Sequence, residues 1–166
     1  MASTFSLTGL LRLVPRWVDD LTATAVTDTA TVVQNVALSN GSAAGQADAY
    51  WRDLLAIPAG DDATIDLFAL PMSAFGGSGS IALYKIKMFL VVNRSETAAI
   101  TFGGTATNRW SGFSAGAISI PPGGTLFALD TGNGYAANGS SRNVHIQNDS
   151  ATAAASVDVN IVGVLD

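Results

Sequence analysis

The chain has no cysteine, a single histidine (His145) and only two lysines (Lys85 and Lys87) in 166 residues. Without cysteine there are neither disulfides nor thiolate metal sites. One histidine leaves a conventional zinc site short of ligands. The arginines are scattered and the net charge is −5, so no basic run exists to follow a phosphate backbone, and nucleic acid is not expected as a partner. Long apolar runs are missing as well. The longest, Ile81 to Val92, is broken by both lysines and is too short to span a membrane. Met1-Ala2-Ser3-Thr4 carries no positive n-region, so cytoplasmic synthesis without a membrane anchor is the expectation.

Charge itself is scarce, at 13% of residues against about 25% in typical soluble domains. Apolar residues reach 48% and the mean hydropathy is +0.34. Ser, Thr, Asn and Gly must then supply the polar coat, or another chain must cover part of the surface. The second alternative is favoured.

No internal repeat is visible and helical periodicity is never sustained. Period-2 runs recur instead, separated by Gly, Pro and Asn clusters, as in a sandwich or barrel. Phe5, Leu7, Leu11 and Leu13 alternate up to Pro15, and Val32, Val36 and Leu38 lie along a second run ending at Asn40-Gly41. The Ser/Thr-rich segment 22–31 between them reads as an extended linker. Trp51, Asp53, Leu55 and Ile57 continue the alternation, with strand preferred to helix there, and Ile65 and Leu67 follow. After a predicted glycine-rich loop, Gly76 to Gly79, Ile86, Met88, Leu90 and Val92 are assigned one face and Lys85 and Lys87 the other. Phe89 and Val91 then fall on the lysine face, and in the last strand Val162 and Val164 replace the outward Asp158 and Asn160. Two strands that lose their polar face halfway predict a second packing layer, from an arm or from a neighbouring subunit. Short strands are expected around Ile118–Ile120, Leu126–Leu129 and Val144–Ile146.

Several motifs invite a chemical interpretation. Gly112-Phe113-Ser114-Ala115-Gly116 matches the G-x-S-x-G nucleophile elbow, and Asp130 and His145 follow in hydrolase order. That chemistry needs a strand-turn-helix setting, whereas Ile118-Ser119-Ile120-Pro121-Pro122 predicts a strand ended by a turn. An esterase built on Ser114 is therefore the weakest of three function classes, and no enzyme is expected. Gly132-Asn133-Gly134 is hairpin-turn chemistry rather than a dinucleotide loop. Asp48, Asp53, Asp61, Asp62 and Asp66 lack calcium-loop spacing. No metal site and no cofactor are expected. His145, alternating with Val144 and Ile146, should point away from their side. Trp110 could stack on a sugar or plug the end of the sandwich, and packing is favoured. The N-x-S triplets at Asn40, Asn93, Asn138 and Asn148 are taken as turn composition.

Gly45-Gln46-Ala47-Asp48, Thr64-Ile65-Asp66-Leu67 and Tyr84-Lys85-Ile86-Lys87 running into Val92-Asn93 come in a recognisable order. Ile118 to Gly124, Val144 to Asn148 and Asp158 to Gly163 complete it. With this succession the chain resembles the jelly-roll virion structural proteins of tailed bacteriophages, most of all capsid decoration (cement) proteins, over roughly residues 40–165. The resemblance, with the period-2 runs, implies an all-β fold: a single antiparallel jelly-roll β-sandwich of about eight strands over 31–166; residues 1–30, outside the match, are taken as an N-terminal arm and linker. It also implies a homo-oligomer, a trimer, that binds the major capsid protein on the outside of the head after synthesis in the host cytoplasm. The rival is a tail-tip or fibre module that holds a cell-surface glycan through Trp110. Phe5, Leu7, Leu11, Leu13, Trp17, Phe89, Val91, Trp110, Val162 and Val164 are the candidate partner-binding residues.

Overall fold

The computed structural model describes residues 6–13, 16–21, 24–29, 32–74, 77–104, 107–112 and 116–165, with the backbone alone for those within 9–35 and 73–78. Among them are sixteen strands and no helix. The first five are β1 (Leu7–Leu13), β2 (Arg16–Leu21), β3 (Thr24–Thr29), β4 (Val32–Asn40) and β5 (Gln46–Ala47). Next come β6 (Ala49–Ile57), β7 (Asp62–Asp66), β8 (Leu70–Ala74), β9 (Gly77–Ile81) and β10 (Leu83–Asn93). The last six are β11 (Ile100–Phe102), β12 (Ile118–Ile120), β13 (Thr125–Leu129), β14 (Tyr135–Ala136), β15 (Asn143–Asn148) and β16 (Ala155–Leu165). The excess over the expected eight or so comes from short strands and from hairpins outside the two main sheets.

Eight main strands and the short β14 build those sheets. One runs β13-β10-β16-β6, with β14 added on β10, and the other runs β12-β11-β15-β7. Numbered one to eight in chain order, these strands pair four with five, three with six, two with seven and one with eight, as in one long hairpin. Three with eight and four with seven then close the rolled ribbon, and every one of these ladders is antiparallel.

Alternate residues of both sheets meet in one core. Trp51, Ile57, Phe89, Val91, Val157, Val159 and Ile161 come from the five-stranded sheet, and Ile65, Ile100, Phe102, Ile120, Val144 and Ile146 from the four-stranded one. The Phe89 ring lies 5.3 Å from Phe102 and 5.3 Å from Trp110, which joins the layers in the middle. Each such side chain contributes about 2–3 kcal/mol by leaving water.

The strand faces of β10 differ from the sequence expectation. Its register against β16 shifts between Leu83 and Lys85 and again between Ile86 and Met88. Each bulge adds a residue on one strand and reverses the alternation beyond it. Ile86 therefore joins Phe89 and Val91 in the core, while Met88 packs in a cluster on the opposite face. Gly163 sits opposite Ile86, between the two irregularities, where a Cβ would stand 2.6 Å from the Lys85 carbonyl oxygen, so the strands approach this closely only without a side chain. Lys85 is exposed as expected, but Lys87 is buried. Its ammonium donates to the carbonyls of Gly132 and Ala43.

The N-terminal third is hairpin rather than free linker. β2 pairs with β3 across the Ser/Thr-rich stretch, and β1 pairs with β4 in the same register, since Leu7↔Leu38 and Arg16↔Thr29 both have residue numbers adding to 45. Backbone pairing needs no apolar side chain, and for that reason composition concealed it. The same holds at Gly77–Gly79, expected as part of a loop and found in a strand paired with Leu70–Ala74. The base of the N-terminal hairpin is anchored: Leu7, Leu38 and Ala47 pack with Met88 and Val162 on the outer face of the five-stranded sheet. Of the two predicted sources for a second layer, the chain's own arm supplies this one.

Candidate interaction surface

The outer face of the five-stranded sheet follows from the ladder registers. Leu54, Asp158 and Val92 form one row across β6, β16 and β10. Arg52, Asn160, Leu90 and Phe127 form the next, reaching β13. Tyr50, Val162 and Met88 form the third, under the hairpin base. Leu54 is 59% exposed, Tyr50 50% and Phe127 42%, a concentration of open apolar area that a solvated sheet face does not need.

A polar network crosses this face. The Asp158 carboxylate accepts from Arg52 Nε at 3.0 Å and Nη2 at 2.8 Å, and from Arg94 Nη2 at 2.6 Å and Nε at 3.2 Å. Asn160 Nδ2 donates to it at 3.0 Å, and the Tyr50 hydroxyl donates to Asn160 Oδ1 at 2.7 Å. The Asp158 side chain is 3% exposed, while its two arginines are about half open. Hydrogen bonds from Arg52 and Arg94 hold the Asp158 carboxyl well below the usual carboxylate range, against the opposing effect of burial. One carboxylate shared by two guanidiniums leaves this patch with net positive charge on an acidic protein.

The candidate residues divide sharply. Phe5 lies outside the described residues, Leu11 and Leu13 are on β1, and Trp17 is on β2. Leu7 is half-buried at the hairpin base. Phe89, Val91 and Trp110 are in the chain's own core, and Val162 and Val164 are also buried, so in the isolated chain none of the five is a surface. Apolar alternation signals burial without saying against what. The residues it missed are Tyr50, Leu54, Arg52 and Phe127; only their one-face spacing along β6 and β13 could have found them.

Trp110 is packed into the core. The indole donates to the Ala136 carbonyl at 2.9 Å and is 1% exposed, so it offers no face to a sugar. The glycan alternative thereby loses the residue it rested on. His145 does point away from the buried Val144 and Ile146. Its Nδ1 lies 2.9 Å from the Gly103 carbonyl oxygen and its Nε2 3.2 Å from Asp62 Oδ2. Asp130 accepts from the amides of Gly132 and Gly134, at 2.8 and 3.1 Å, and so shapes its own turn. Ser114 lies outside the described residues, and the element after it is β12. Burial pushes the Lys87 ammonium below its ordinary value, opposed by the nearby Asp130 charge.

The acidic cluster disperses into local roles. Asp48, Asp53 and Asp61 each accept from a backbone amide, Asp62 faces His145, and Asp66 faces Arg142. Among the described residues no group of acids and histidine is arranged to hold a metal. An open depression of about 370 Å³ is lined by Ser80, Ile81, Ala82, Tyr84 and Leu165, none of them acidic or basic. Three N-x-S triplets are Asx turns in which the amide two residues on donates to the asparagine oxygen, at Asn93, Asn138 and Asn148.

Comparison with protein-family models, curated proteins and solved structures finds no match to this chain.

Proposed function

We propose that the chain is a structural virion protein of a tailed bacteriophage, a capsid decoration protein that binds the assembled head as a homotrimer and stabilises it. The observation that carries the proposal is the strand order. One sheet reads six-three-eight-one and the other five-four-seven-two in the numbering of the eight main strands, which supports an eight-stranded jelly roll. The sequence resemblance implies a fold of that kind. The chemistry agrees. Asp130 and His145 are each occupied by local partners, and the three most exposed apolar residues on the outer sheet face, Leu54, Tyr50 and Phe127, lie in adjacent rows.

The mechanism is linkage. A protein that binds the closed shell and not its disassembled subunits stabilises the shell by about RT ln(1 + [L]/Kd). A trimer bridging several shell subunits adds the gain of multivalent attachment. Purified chain added to heads lacking it should bind them and raise the temperature at which they release DNA. Heads that neither bind the chain nor gain heat resistance would contradict the proposal.

A further inference from the structure

Among the described residues, the outer face of the five-stranded sheet is covered by its own chain along one row, where Leu7, Leu38 and Ala47 close over Met88 and Val162. The neighbouring rows stay open, with Leu54 59% and Phe127 42% exposed around half-buried Leu90 and Val92. The N-terminal hairpin has the converse problem. A lone two-stranded ladder is marginal in water and needs a surface to lie on. Among the described residues, β2 and β3 pair only with each other.

We propose that the open rows seat the N-terminal hairpin, residues 7–38, of a second copy of this chain. Two features of the chain select that occupant. The first is continuity: the base of the hairpin already packs on this same sheet face, one row away. The second is charge. Residues 7–38 carry Arg12 and Arg16 against Asp19, Asp20 and Asp28, a net of 2 − 3 = −1, whereas the face carries Arg52 and Arg94 around Asp158, a net of 2 − 1 = +1. Hairpin and face belong to the same chain but are different surfaces, so the contact is head-to-tail and closes into a ring when the rotation allows. The inference rests on the self-association in the proposed function and not on the location in a phage head.

The test places the photoreactive p-benzoylphenylalanine at position 54 of the full chain and mixes isotopically light and heavy copies during assembly. Light scattering is measured on the same samples. The expected result is an oligomer whose inter-chain cross-links run from position 54 into residues 7–38. An oligomer with inter-chain cross-links only elsewhere, or with cross-links only inside one chain, would overturn this inference and leave the proposed assembly standing. A chain of 16.9 kDa at every concentration would overturn both this contact and self-association in solution. A second variant, Leu54→Asp with Phe127→Asp, changes exposed positions only; with its circular dichroism unaltered, it should shift the oligomer to the monomer mass. An unchanged oligomer would count against the contact.

Discussion

Asn93 ends β10 and Asn148 ends β15, and both side chains are wholly buried. Asn93 Nδ2 donates to the carbonyls of Ala98, Ile120 and Pro121, at 2.8–3.1 Å, and Asn148 Nδ2 to those of Ile57, Pro58 and Ala153, over the same range. Each therefore pins its own sheet to the other. Losing one side chain strands several buried carbonyls, so Asn93→Ala and Asn148→Ala should each lower stability by about 3–4 kcal/mol in denaturant titration. A loss below about 1 kcal/mol would show that water replaces the bonds. Asp158 makes a pH prediction. Its carboxyl is depressed in the folded state, so its contribution is present above the ordinary aspartate value of about 3.9 and fades as pH falls further. The denaturation midpoint should drop below about pH 4, and Asp158→Asn should flatten that part of the profile. An unchanged slope in the variant would assign the acid sensitivity to other groups. His145 facing outward and the N-x-S turns were legible from spacing alone. Lys87 was not, because a lysine in a strand is expected to face water, whereas here the carbonyls of Gly132 and Ala43 receive its ammonium.

At the scale of elements, period 2 located the strands whose side chains do the packing: β6, β10, β12, β13, β15 and β16. It failed in two ways, each physical. Alternation carries no information across a bulge, so the face of Ile86 was misassigned while that of Val162 was right. Hairpins rich in Gly, Ser and Thr pair through backbone amides, so β3 and β9 looked like linker and loop. The N-terminal hairpin also makes an element-scale prediction. Removing residues 1–31 should leave a β-type circular dichroism spectrum and a cooperative transition, with about 1–2 kcal/mol lost from the Leu7 contact. Self-association should be lost with it. A truncated chain that fails to fold would make the hairpin part of the sandwich rather than an arm on it.

For the whole molecule, scarcity of charge led to the expectation of a surface covered by another chain, without saying which surface. Of the candidate partner residues, Phe89, Val91 and Trp110 are in the chain's own core, and a group of exposed apolar residues, Tyr50, Leu54 and Phe127, lies on the outer face of the sheet that begins with β6. Three copies would have a mass of 3 × 16.9, or 50.7 kDa. The claim that orders all the rest is that this surface serves a shell repeated many times over. Counting copies per particle in purified virions by quantitative mass spectrometry tests it most directly. A decoration protein on a symmetric head should be present on the order of hundreds of copies per particle. A handful of copies, or none, would contradict the account.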